Sequence, residues 1–202
     1  MAKAGVTNQI EAIEEICGLF DHLDYNIDSL SVELLDPTKT KEHLFNEAMS
    51  YSEIDRERIA IKIPLIDLSS LELVHDLHKE GIGVNMTCIM SAYQGILAYS
   101  CRPEYISFFY NRMKDFGDTR LGNTGHSYAH DQIRILDDYI GKRIRTNIIC
   151  GSIRYPNDIP KCFDAGADIV TVPYDILQQM FKHDKTTEAI AEFATKWNEK
   201  RK

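Results

Sequence analysis

Short, β-branched apolar runs alternate along this chain with longer stretches of helical spacing, and that alternation restricts the possible folds more than any single motif. The strand-like runs are residues 31–35, 59–65, 83–89, 105–109, 144–152 and 169–173. Between them, residues 71–80, 91–99, 131–139 and 157–165 carry helical periodicity, and residues 10–20 and 186–198 read as amphipathic helices near the two ends. Ser69 or Ser70 marks one helix start and Gly81 its end, while Asn157 and Gly166 bracket another. Repeated strand–helix units imply a parallel sheet, either a closed (β/α)8 barrel or an open doubly wound sheet. No GxGxxG or phosphate-loop motif follows any strand, which counts against nucleotide-binding open sheets. Lys62, Asn85, Thr87, Ser107, Ser152 and Arg154 instead place polar groups near the ends of four segments, the habit of an α/β (β/α)8 TIM barrel. At 202 residues, without linker, repeat or low-complexity run, residues 1–202 read as a single domain.

One of these strands contains a lysine: Ile59-Ala60-Ile61-Lys62-Ile63-Pro64-Leu65. An unpaired ammonium is costly to bury, so Lys62 is either paired or loses its proton readily. An amine that loses its proton is a nucleophile and forms Schiff bases with carbonyls. The plain alternative is a lysine with a buried stem and a head that reaches water. Glu33 is a similar intrusion, a lone carboxylate among Val32, Leu34 and Leu35. It either moves protons or pairs with Lys62, which would shift the lysine pKa upward.

The net charge of −8, with no basic block against it, speaks against nucleic acid as the main partner. The cysteines Cys17, Cys88, Cys101, Cys150 and Cys162 are odd in number and lack a CxxC spacing. They suit a reducing compartment better than a disulfide framework or a zinc site. No apolar stretch approaches a membrane span and no signal-peptide pattern opens the chain, so a cytoplasmic enzyme or binding protein is expected.

Alternate strand residues share a direction, so Asn85 and Thr87 point one way, as do Ser152 and Arg154. A buried lysine, a buried glutamate and a threonine hydroxyl are the parts of amine catalysis with proton transfer. Arg112, Ser152 and Arg154 could clamp a substrate phosphate. At this point the chain resembles the small-subunit transaldolases and the fructose-6-phosphate aldolases. The motifs, in family order, are Ala4-Gly5-Val6-Thr7-Asn8, Val32-Glu33, Ile61-Lys62-Ile63-Pro64 and Glu80-Gly81-Ile82-Gly83-Val84-Asn85-Met86-Thr87. They continue with Ala92-Tyr93-Gln94-Gly95, Ser107-Phe108-Phe109 through Asn111-Arg112, Gly151-Ser152-Ile153-Arg154, Ala165-Gly166-Ala167-Asp168 and Ile169-Val170-Thr171-Val172-Pro173.

The resemblance implies a (β/α)8 barrel that transfers or cleaves a dihydroxyacetone unit without metal or organic cofactor. By it, Lys62 attacks the ketose carbonyl, and Glu33 and Thr87 hold the water that shuttles protons. Asn8 and Asn85 would bind substrate hydroxyls, with Ser107 and Phe109 also in the site, and Arg112, Ser152 and Arg154 would hold the phosphate. Glu33 and Phe109, rather than Gln and Tyr, match the transaldolase pattern: transfer from fructose 6-phosphate to erythrose 4-phosphate. The alternatives are an aldolase that releases dihydroxyacetone and a non-catalytic phosphosugar-binding relative. The expected partners are sugar phosphates, not nucleic acid or membrane, and by analogy other copies of the chain in a pentamer or decamer.

Two departures bear on these expectations. Met1-Ala2-Lys3 runs straight into the second-strand motif, so the family's first strand, ending in Leu-Asp-Thr, is expected to be lacking. The family's Val-Thr-Thr-Asn-Pro is shortened to Val6-Thr7-Asn8-Gln9, which leaves Asn8 and Gln9 both open as its asparagine. Elsewhere, His75 and His78 read as a solvated helix face rather than a metal pair, and His126 and His130 flank a loop-to-helix start.

Overall fold

A computed structural model of the chain describes residues 8–22, 29–120, 127–141 and 146–199. Its strands are β1 (Leu30–Glu33), β2 (Ile59–Pro64), β3 (Gly83–Ile89), β4 (Tyr105–Phe109), β5 (Asn147–Gly151) and β6 (Ile169–Val170). They pair in the order β1-β2-β3-β4-β5-β6, every pair parallel. A doubly wound sheet reverses its strand order at a switch point. Here each strand instead adds beside its predecessor, so the sheet curls one way into a six-stranded half-barrel. The expected absence of the family's first strand rests on residues 1–7, which lie outside the described residues.

Helices return the chain after each strand: α2 (Lys41–Ser52), α3 (Leu68–Lys79), α4 (Ala92–Tyr99), α5 (Tyr110–Arg120), α6 (Tyr128–Ile140), α7 (Asp158–Asp164) and α8 (Tyr174–Met180). The helix α1 (Gln9–His22) precedes β1, and α9 (Asp184–Glu199) follows α8. Side-chain caps fix several starts. Thr40 accepts from His43 N, Ser91 from Gln94 N and Ser127 from His130 N. The start of α3 corrects the sequence reading: Asp67, not Ser69 or Ser70, is its cap, and Asp67 Oδ1 accepts from Ser69 N at 2.8 Å. Gly81 ends the helix as expected, at φ +72°, a conformation that glycine adopts without steric cost.

Strand parity divides the sheet. Val32, Ile61, Ile63, Val84, Met86, Ile106, Phe108, Ile148 and Cys150 point to the helical layer, where they pack in one buried cluster with Leu73, Val74, Leu77, Met113, Ile133 and Leu136. The other parity carries Ser31, Glu33, Lys62, Asn85, Thr87, Ser107 and Phe109. Polar groups therefore gather on the concave face because the convex face is used up by helix packing. Among the described residues, no helix is long and apolar enough to cross a membrane.

Acidic residues preceding two strands satisfy the starts of their neighbours. Glu104 Oε2 accepts from Val84 N at 2.6 Å, and Asp168 Oδ2 from Ile148 N at 2.7 Å. His78, read from sequence as solvated, is in fact half-buried, with Nε2 3.5 Å from the Glu104 carboxylate. Burial pushes the Glu104 carboxyl up, but His78 and the Val84 N–H outweigh it and hold the group below its ordinary 4.5. A carboxyl depressed in this way contributes its full stability above the ordinary pKa, and loses it as pH falls through the lower folded value. Glu104→Ala, which leaves the buried Val84 N–H without an acceptor, should destabilise the fold by about 1–3 kcal/mol, read from urea midpoints. Glu104→Gln keeps an oxygen there and should recover most of that loss, with a flatter decline of stability in acid.

Candidate active site

Parallel pairing sets Glu33, Lys62 and Asn85 abreast on three consecutive strands, since Glu33 is in register with Lys62 and Lys62 with Asn85. Lys62 Nζ lies 3.3 Å from Glu33 Oε2, so the lysine is paired rather than alone. The expectation of two buried groups needs correction. The Lys62 side chain is 24% exposed and that of Glu33 47%, because β1 has a strand partner on one side only among the described residues.

Beneath this pair runs a chain of side-chain hydrogen bonds. Ser107 Oγ donates to Asn85 Oδ1 at 2.6 Å, and Asn85 Nδ2 donates to Ser31 Oγ at 3.0 Å. The link passes from β4 through β3 to β1 above Ala60, whose methyl leaves room on the intervening strand. Thr87, two residues beyond Asn85, is fully buried, and its hydroxyl has no hydrogen-bond partner among the described residues. A bulge follows it: register shifts between Met86 and Ile89, and Cys88 takes φ 61°. Burial pushes the Cys88 thiol up, with Glu33 acting in the same direction and Lys62 and Arg112 in the opposite one. The thiol therefore lies within the field of the site.

Phe109, at the end of β4, joins the amine to the rim. The Arg112 guanidinium lies 4.8 Å from its ring centroid and Lys62 Nζ lies 6.0 Å away. Arg112 follows in the first turn of α5. Ser152 and Arg154 sit beyond the end of β5, so strand parity does not govern them, contrary to the sequence reading. Ser152 takes φ 62°, and Arg154 Nη2 is held 2.7 Å from Asp115 Oδ2.

The shortened second-strand motif falls partly on residues 4–7, outside the described residues. Of its two open residues, Asn8 is exposed and its Oδ1 accepts from Ile10 N at 3.2 Å, the place of a cap on α1. Gln9 is buried and donates from Nε2 to Glu33 O at 2.8 Å, and its own Oε1 has no partner among the described residues. Gln9 is thus the one tied to the strand that bears Glu33. His130 serves the scaffold, with Nε2 3.1 Å from Asp164 Oδ2, and His126 lies outside the described residues. Ser31, Cys88 and Asp115 were not singled out from sequence. Ser31 alone left a signal there, since it shares parity with Glu33.

Asn85→Ala breaks two of these hydrogen bonds at a buried position and should cost about 1–3 kcal/mol in urea unfolding. Ser31→Ala removes only one acceptor and should cost about 1 kcal/mol or less.

Comparison with known proteins agrees with the resemblance. The model of the family described as Transaldolase/Fructose-6-phosphate aldolase matches residues 6–202. A probable transaldolase of Clostridium tetani (strain Massachusetts / E88) is 34% identical over 183 residues, covering 91% of this chain and 77% of the relative. A probable transaldolase of Clostridium botulinum (strain Eklund 17B / Type B) is 38% identical over 152 residues, covering 75% of this chain but 66% of the relative. A solved structure described as "Native KDPGal structure" superposes with a TM-score of 0.53 at 15% identity, covering 81% of this chain and 64% of that one, a likeness of fold. The chain belongs to the transaldolase/fructose-6-phosphate aldolase family.

Proposed function

We propose that the protein is a transaldolase, working through an imine on Lys62 within a (β/α)8 barrel architecture. The observation that carries this reading is Lys62 Nζ, 3.3 Å from Glu33 Oε2 and 6.0 Å from the centre of the Phe109 ring, with Thr87 sharing its face of the sheet one pleat further along β3. Glu33 takes the ammonium proton of Lys62, and the freed amine adds to C2 of fructose 6-phosphate. Glu33 returns the proton to the carbinolamine hydroxyl, which leaves as water to give an iminium. Glu33 takes a proton from the C4 hydroxyl through water held against Thr87, and the C3–C4 bond breaks. Its electron pair moves into the iminium, leaving an enamine on Lys62 and releasing glyceraldehyde 3-phosphate. The enamine then adds to the aldehyde carbon of erythrose 4-phosphate, and hydrolysis frees the lysine. In this reading Asn85 holds a hydroxyl of the three-carbon unit, and its hydrogen bonds to Ser31 and Ser107, which fix its amide, support that role.

Arg112 and Arg154 provide planar forks for the phosphate, with Ser152 beside them. The exposed Ile190 and Phe193 of α9 support assembly with further copies of the chain.

The test is to measure glyceraldehyde 3-phosphate release from fructose 6-phosphate with and without erythrose 4-phosphate. A transaldolase depends strongly on the acceptor. Equal rates in its absence would assign the chain to the aldolases, and no release under either condition would remove the catalytic reading. Lys62→Arg should abolish turnover. Arg112→Ala and Arg154→Ala should each weaken sugar-phosphate binding by about 1.5–3 kcal/mol, the range for hydrogen bonds to a charged group. Dihydroxyacetone, which lacks a phosphate, should be little affected.

A further inference from the structure

The loop that carries Ser152 and Arg154 is held at three points by side chains from α5 and α7. Asn111 Nδ2 donates to Ser152 O at 2.9 Å and to Asp158 Oδ2 at 2.8 Å. Both neighbours are acceptors, so the amide must present its nitrogen to them, and its two hydrogens are both used. Asp158 Oδ2 also accepts from Tyr155 N at 3.2 Å, and Asp158 N returns a bond to Tyr155 O at 3.0 Å. Asn111 and Asp158 are each only 2% exposed, so this lock is shielded from water.

Ser152 needs such a lock. Its φ of 62° is the left-handed region, which costs a non-glycine residue free energy that its surroundings must supply. The bond from Asn111 fixes the turned carbonyl. One helical turn after Asn111, on the same face of α5, Asp115 holds Arg154 at 2.7 Å. That contact engages one terminal nitrogen of the guanidinium, and the other donors have no side-chain partner among the described residues. Arg112, between them, has no carboxylate within ion-pair distance among the described residues and rests on Phe109. The first turns of α5 thus touch every element of the anion clamp.

We propose that Asn111 and Asp115 are the positioning residues of the phosphate clamp, Asn111 setting Ser152 and Asp115 setting Arg154. The proposal rests on the functional reading above and deepens it. Arg154 is half exposed on a loop, and a free arginine there would spread over many rotamers. A held one is ready before the ligand arrives, which lowers the cost of binding. Asp115 also repels an incoming phosphate, but at 55% exposure that repulsion is screened by solvent, so the positioning effect prevails.

The experiment compares the wild-type chain with Asp115→Ala, Asp115→Asn and Asn111→Ala. Inorganic phosphate binding is measured by calorimetry, and KM and kcat for fructose 6-phosphate in the presence of erythrose 4-phosphate. Asp115→Ala should weaken phosphate binding and raise KM by on the order of fivefold to tenfold, with kcat nearly unchanged. Asp115→Asn keeps an oxygen acceptor for Arg154 and should recover at least half of that loss, which a purely electrostatic role would not allow. Asn111→Ala should act in the same direction; if it does not fold, the Asp115 pair decides alone. Unchanged or tighter phosphate binding in Asp115→Ala overturns the proposal, because it would make Asp115 a bystander or a competitor of the ligand. In that event, weakened binding in Arg154→Ala shows the clamp itself still standing. Wild-type protein that binds no phosphate would remove both the clamp and its positioning residues.

Discussion

The alignment of Glu33, Lys62 and Asn85 across three parallel strands is the constraint on which the rest of the site depends. Side chains alternate with a period of two, so a slip of one residue in β2 would turn Lys62 into the helical layer. There it would meet the buried cluster that holds Leu73, Val74 and Leu77, where an ammonium has no partner. Ile61 and Ile63 prevent the slip, since both are almost wholly buried in that same cluster. The apolar packing of one face thereby fixes the chemistry of the other. The same logic sends Asn85, Thr87 and Ser107 to the concave side, where Asn85 becomes the node of a hydrogen-bonded link to Ser31 and Ser107.

The concave face separates two kinds of positive charge. Lys62 is set back within the sheet against a carboxylate, while Arg112 and Arg154 stand at the rim on elements that follow β4 and β5. Phe109 lies between, and both Lys62 and Arg112 approach its ring. An aromatic face attracts cations without neutralising them, so it can hold two of them near one another and still leave each available to a ligand. The substrates proposed above, with a carbonyl at one end and a phosphate at the other, fit this division.

Much of the fold was legible because its strands are β-branched runs bounded by turn residues, and the six expected runs correspond to β1–β6. Lys62 stood out for the same reason: a charge in such a run is conspicuous. α2 and α5 were less visible. α2 has a mixed polar sequence, and α5 begins directly after Phe109 with no glycine, proline or capping residue between strand and helix. Strand parity misled at Ser152 and Arg154, where β5 has already ended and the backbone turns left-handed. The contacts of Asn111 and Asp115 could not be read from spacing, since Ser152 and Arg154 lie tens of residues away on another loop. Asn8 and Gln9 were separable only by burial, one exposed and one enclosed against the end of β1.

The central claim is that Lys62 is the residue which bonds to substrate, and the most direct measurement is chemical trapping. The protein is treated with borohydride in the presence of fructose 6-phosphate and then digested, and its peptides are weighed. The account predicts a reduced three-carbon adduct on the peptide that contains Lys62 and none in the Lys62→Arg variant. An adduct mapped to another lysine, or no adduct on a protein that turns over fructose 6-phosphate, would contradict it.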